Sequence, residues 1–79
     1  MSVGEQRLMR LGFDLHDGPI QDVLALAGEA AHLRDQAYPF VLESHRELVY
    51  GRFEDMLARL TDIDRGLREI AHSLETFFF

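Results

Sequence analysis

The chain has 79 residues, 47% hydrophobic and 28% charged, a composition that suits one domain of amphipathic helices and argues against disorder. It has no cysteine, which excludes disulfides and Cys-ligated metal centres, and its net charge of −6 disfavours nucleic-acid binding, which needs a basic patch. No apolar run could span a bilayer and no signal-peptide core opens the chain, so a cytoplasmic module without direct membrane contact is expected, membrane anchoring of a longer parent being left open.

The first predicted element is a helix over about 4–36. Leu8, Leu11, Leu15, Val23, Leu26, Ala30, Leu33 and Ala37 lie along one stripe. Met9, Phe13, Ile20, Leu24, Ala27 and Ala31 lie to one side of it, so the apolar arc exceeds half the circumference. Such a helix must be covered from more than one direction. Pro19 falls inside it, lacks a backbone donor and clashes with the carbonyl of Leu15; because the apolar pattern resumes, a kinked but continuous helix is expected.

Tyr38-Pro39-Phe40-Val41-Leu42-Glu43 then reads as a turn, over about 37–43, with Pro39 disfavouring helical geometry at Tyr38. A second helix follows over about 44–77, with Ser44 and Glu47 spaced as a capping box. Val49, Phe53, Met56, Leu60, Ile63, Leu67, Ile70, Leu74 and Phe77 alternate spacings of four and three, an a/d seam of the coiled-coil kind. Tyr50, Leu57 and Ala71 widen that seam, Asp64 interrupts the widened row, and Asp55/Arg59 and Asp64/Arg68 are spaced for pairing. The terminal Phe77-Phe78-Phe79 run reads as a cut end, making residues 1–79 one domain of a longer parent chain.

The expected fold is all-α: a long antiparallel helical hairpin that dimerises into a four-helix bundle. A short connection makes the helices antiparallel, each about thirty residues or roughly 45 Å long. A single-chain core is marginal at this size, and a second hairpin would cover the wide apolar arcs.

The chemistry-bearing residues cluster beside Pro19. An imidazole can attack phosphorus if one ring nitrogen is free and the other is held by an acceptor. His16 has a carboxylate next to it in Asp17, which could fix the tautomer and stabilise developing positive charge. Gln21, one turn beyond Asp17, both donates and accepts and could position a water. Each residue also has a plainer reading. His16 projects into the apolar arc of a straight helix, where a lone histidine is more often a satisfied core residue. Asp17 alone would be a solvated charge, and Gln21 alone says nothing. His32, His45 and His72 lack partners at metal-ligand spacing and are expected at the surface, so no metal site is expected.

Taken together, Leu15-His16-Asp17-Gly18-Pro19-Ile20-Gln21, preceded by Arg10 and followed by Leu24, resembles the phosphoacceptor signature of two-component sensor histidine kinases, in the subfamily of nitrate-sensor-like and DesK-like kinases. Leu67-Arg68-Glu69-Ile70-Ala71-His72-Ser73-Leu74 also resembles that family's closing segment before the ATP-binding domain. Phe13 stands where the family often has a basic residue, Gly12 where it has alanine, and Asp14 where glutamate is commoner. The resemblance implies that His16 accepts the γ-phosphoryl group of ATP and passes it to an aspartate of a response-regulator receiver domain. It implies that Asp17 is general base or orienting carboxylate, and that Asp17 and Gln21 support dephosphorylation of the regulator. ATP and Mg would be bound by a separate domain of the parent. The chain itself has no glycine-rich nucleotide loop and should be inactive alone, with no cofactor of its own. Its partners would be a second copy, the receiver domain and the ATP-binding domain.

Two other readings stand beside this one. A purely structural helical-hairpin dimer needs the seam but none of His16, Asp17 and Gln21. A monomeric histidine phosphotransfer domain usually needs four or more helices in one chain, and this chain has two.

Overall fold

The computed structural model describes residues 3–78; Met1, Ser2 and Phe79 lie outside the described residues, as do the side chains of Glu5, Leu8, Phe77 and Phe78. The seam positions Leu8 and Phe77 and the terminal phenylalanine run therefore fall outside the described side chains. Helix α1 spans Val3–Leu15 and α2 spans Gln21–Ala37, joined without interruption by a π-helical turn at His16–Ile20. A 3-10 turn at Tyr38–Phe40 leads into α3, Glu43–Phe78, which packs back against both α1 and α2. The result is an all-helical hairpin, 61 Å long and 15 × 14 Å in section, with no strand among the described residues. No described helix is long and apolar enough to cross a membrane.

The proline distortion takes a specific form. In a regular α-helix the Pro19 ring would collide with the carbonyl of Leu15 and offer it no N–H. The chain relieves this by widening one turn rather than breaking. Leu15 and Gln21, on either side, both keep φ −64° and ψ −40°, and the Gln21 N–H donates to the Gly18 carbonyl. Single π turns inside α-helices are frequent at functional sites.

Packing selects a narrower face than the apolar pattern offers. On the first arm Ile20 is buried, with Val23, Ala27 and Ala30 half-buried; on α3 Ala71 is buried, with Phe53, Leu57, Leu60 and Leu67 half-buried. Met56, Ile63 and Ile70, equal members of the expected seam, stay 46%, 50% and 53% exposed. Within one hairpin the contact face of α3 is therefore rotated toward the row of Leu57, Asp64 and Ala71. Gly12 is buried where α1 meets α3, and a Cβ there would stand 3.7 Å from the Leu74 Cβ, an ordinary contact, so alanine would also fit.

Rotation toward that row brings Asp64 inward. Arg68 Nε donates to its Oδ2 at 2.9 Å, while Oδ1 is buried with no partner within the hairpin. An unsatisfied buried acceptor costs about 1–3 kcal/mol, so this carboxylate weakens the inner face. The other expected pair, Asp55/Arg59, is not formed among the described residues; Arg65 pairs with Asp62 at 3.3 Å instead.

The closed end is tied by polar and aromatic contacts. Val41 turns extended at φ −89°, ψ 126°, and its carbonyl accepts from Arg46 Nε at 3.2 Å. The Arg46 guanidinium lies 4.5 Å above the Tyr38 ring, and Tyr38 meets Tyr50 edge to face at 5.4 Å. Burial raises the Tyr50 phenol above its ordinary pKa. One turn further along, Arg34 Nη1 donates to Glu54 at 2.7 Å and Nε to Asp35 at 3.1 Å. These bonds, first that to Asp35, raise the guanidinium pKa. Among the described residues no bond of the capping box expected at Ser44 and Glu47 is made. The helix starts at Glu43, placing Ser44 inside the first turn, where its hydroxyl pairs with His45 Nδ1 at 3.0 Å. The His45 N–H donates to the Leu42 carbonyl at 2.8 Å.

Candidate functional site

His16 is the first residue of the widened turn and Ile20 the last. Ile20, only 1% exposed, anchors the turn against α3. His16 is half-buried, its side chain 39% exposed, and its imidazole faces the last turns of α3, as its position in the apolar arc suggested. There its Nε2 lies 3.0 Å from Glu75 Oε1, the ring N–H donating to the carboxylate. The Glu75 side chain is 45% exposed, so the pair sits at the rim of the hairpin rather than in its core.

The three sequence candidates are differently placed. Asp17 is exposed and makes no hydrogen bond or ion pair with His16 among the described residues. Gln21 is the first residue of α2 and is also exposed. The three residues are thus gathered on and beside one wide turn, with the imidazole turned toward α3 and the other two open to solvent. The acceptor that holds the imidazole comes from α3, 59 positions away, and not from the neighbouring carboxylate. Glu75 carries no motif signal of its own. Which side chain of α3 reaches the ring depends on helix rotation and stagger, which the local sequence does not fix. Beside the site, Met9, Gly12, Phe13, Leu74 and Glu75 line a shallow apolar depression.

His32, His45 and His72 are exposed, as expected. Among the described residues no group of three or more His, Asp or Glu side chains is arranged to hold a metal ion. Comparison with protein-family models, with curated proteins and with solved structures finds no match in any of the three.

Proposed function

We propose that the chain is the dimerisation and phosphoacceptor domain of a cytoplasmic sensor histidine kinase, acting as part of a phosphotransferase and inactive alone. The observation that carries this reading is His16 itself. Its imidazole is half open to solvent on a π turn, with one ring nitrogen held by a carboxylate. A nitrogen lone pair of the ring attacks the γ-phosphorus of ATP presented by a separate ATP-binding domain. The N–P bond forms as the P–O bond to the β-phosphate breaks, ADP leaves with that electron pair, and a ring proton is released. The phosphoryl group then passes to an aspartate of a receiver domain. Asp17, exposed and next to His16 along the chain, suits the role of base for that proton. Exposed Gln21 suits positioning the water that dephosphorylates the regulator.

The bundle is part of the same proposal. Leu26 and Leu33 on α2 and Met56, Ile63 and Ile70 on α3 are each 46–56% exposed and recur at heptad spacing. Leu26, Ala30, Met56, Arg59 and Leu60 line an open apolar groove between the two helices. A second copy laid along this flank would bury both rows and give four helices. A purely structural dimer would use the same flank, so the two readings part at His16, Asp17 and Gln21.

Incubated with ATP, the chain is expected to stay unlabelled; with ATP and a cognate ATP-binding domain it should gain acid-labile phosphate. His16→Ala should abolish that label while leaving the dimer intact. Label that survives His16→Ala, or no label with a competent domain, would leave only the structural dimer. Gln21→Ala should slow regulator dephosphorylation by about 10-fold or more while sparing labelling of His16, the scale of losing one water-positioning group. A normal dephosphorylation rate in Gln21→Ala would remove that role.

A further inference from the structure

The apolar flank left open by one hairpin has opposite charges on its two borders. On α2, Glu29 stands three residues after Leu26 and four before Leu33, so it edges their exposed row. On α3, Arg59 stands three residues after Met56 and four before Ile63, and it lines the open groove with Leu26, Ala30 and Met56. The pattern repeats one heptad away, with Asp22 and Gln36 in line with Glu29 and Arg52 in line with Arg59. The α2 border is thus acidic or neutral and the α3 border basic, and all five side chains are exposed. Neither Glu29 nor Arg59 enters an ion pair among the described residues.

The stagger of the hairpin puts these two charges at one height. Arg34 bonds to Glu54 across the two helices, and five residues further from the closed end on each helix stand Glu29 and Arg59. They border opposite edges of the flank, with the apolar rows between them. Two copies can close face to face about a two-fold axis in two ways. With the axis across the helices, α3 lies along α3 and α2 along α2, which sets arginines by arginines and acids by acids. With the axis along the helices, α3 lies along α2 of the other copy, at equal height and with both closed ends together. Glu29 of each copy then faces Arg59 of the other, and Gln36 faces Arg52.

We propose that Glu29 and Arg59 form two symmetric ion pairs between copies, and that these pairs select the dimer whose two closed ends lie side by side. The pairing rests on the two-copy bundle proposed above and on no chemistry at His16. Exposed pairs contribute little affinity, whereas like charges set against each other penalise a wrong arrangement. The apolar rows therefore hold the copies together and the charged borders choose their orientation.

Analytical ultracentrifugation at low salt on the whole chain reads the dissociation constant, with circular dichroism to show that helix content is kept. Glu29→Arg turns two attractions into two repulsions and should weaken the dimer about 10-fold, the scale of four exposed-pair changes. It also makes each copy two charge units less negative than −6, so general repulsion alone would tighten the dimer instead. Arg59→Glu should weaken the dimer similarly, and Glu29→Arg with Arg59→Glu in one chain should restore it to within about threefold of wild type. Orientation is read by pulsed electron spin resonance. The chain has no cysteine, so Glu43→Cys gives a single nitroxide site at the closed end. The two labels should lie closer than half the 61 Å length of the hairpin. Labels separated by most of that length, a Glu29→Arg dimer as tight as wild type or tighter, or a double variant that does not recover would each overturn the pairing and leave the two-copy bundle standing. A wild-type chain that stays monomeric would overturn the bundle itself, and the pairing with it.

Discussion

Substituting Ile63→Glu and Ile70→Glu together is expected to turn a dimer into a folded monomer. In the single hairpin both side chains are half exposed, at 50% and 53%, and neither belongs to the buried contact of α3 with the first arm. Glutamate is a good helix former, so α3 itself should tolerate the change. At a two-fold interface each residue counts twice, and two substitutions alter four sites. Fully burying an isoleucine contributes about 1.5–3 kcal/mol, and half of that is still to be gained here at each site. The loss is therefore about 3–6 kcal/mol before any cost of burying the new charge, or about two to four powers of ten in dissociation constant. Light scattering over a concentration series measures it, with far-ultraviolet circular dichroism to confirm that helix content is kept. An unchanged dimer would show that this flank is not the interface; an unfolded chain would show that the isoleucines serve the hairpin itself.

Ile20→Ala is expected to remove about 2–5 kcal/mol of stability, the range for emptying a buried isoleucine site. Ile20 is 1% exposed and, with Ala71, one of only two fully buried apolar residues among those described. A domain of this size has little stability in reserve, so a loss on that scale is a large fraction of the whole. Ile20→Val, which removes one methylene, should cost only about 0.5–1.5 kcal/mol. Urea denaturation at fixed protein concentration reads both values, the concentration being held because the proposed dimer would stabilise the folded state by mass action. Ile20 also closes the turn that His16 opens, so Ile20→Ala should disturb the His16 resonance more than those of His32 and His72 on exposed helix faces. A loss below about 0.5 kcal/mol, smaller than even the valine change should give, would mean that the π turn is held by something other than this side chain.

Much of the hairpin was legible in the residues. The four-and-three ladder from Val49 to Leu74, the resumption of the apolar pattern after Pro19, and the turn around Pro39 each rest on local chemistry. The Ser44 and Glu47 signal misled, because the helix starts at Glu43, two residues before the first helical position that a Ser44 cap requires. The seam of α3 is divided within one hairpin. Its residues share a face, but Phe53, Leu60 and Leu67 turn inward while Met56, Ile63 and Ile70 flank the hairpin. The His16, Asp17 and Gln21 cluster was visible as a cluster; the partner of the imidazole was not.

By itself the sequence determined the helical periods, the distortion at Pro19, the reversal near Pro39 and the gathering of three polar side chains beside the proline. These depend on atoms close together along the chain, such as the Pro19 ring and the Leu15 carbonyl. The tertiary structure alone decided which side of each helix turns inward, that Asp64 is drawn into the contact face with an unpaired oxygen, and that His16 meets Glu75 rather than Asp17. Periodicity gives the angles between residues on one helix but not the rotation of one helix against another. That rotation is set by how the side chains of two helices pack together, with Ile20 on the first arm and Ala71 on α3 the residues fully buried here.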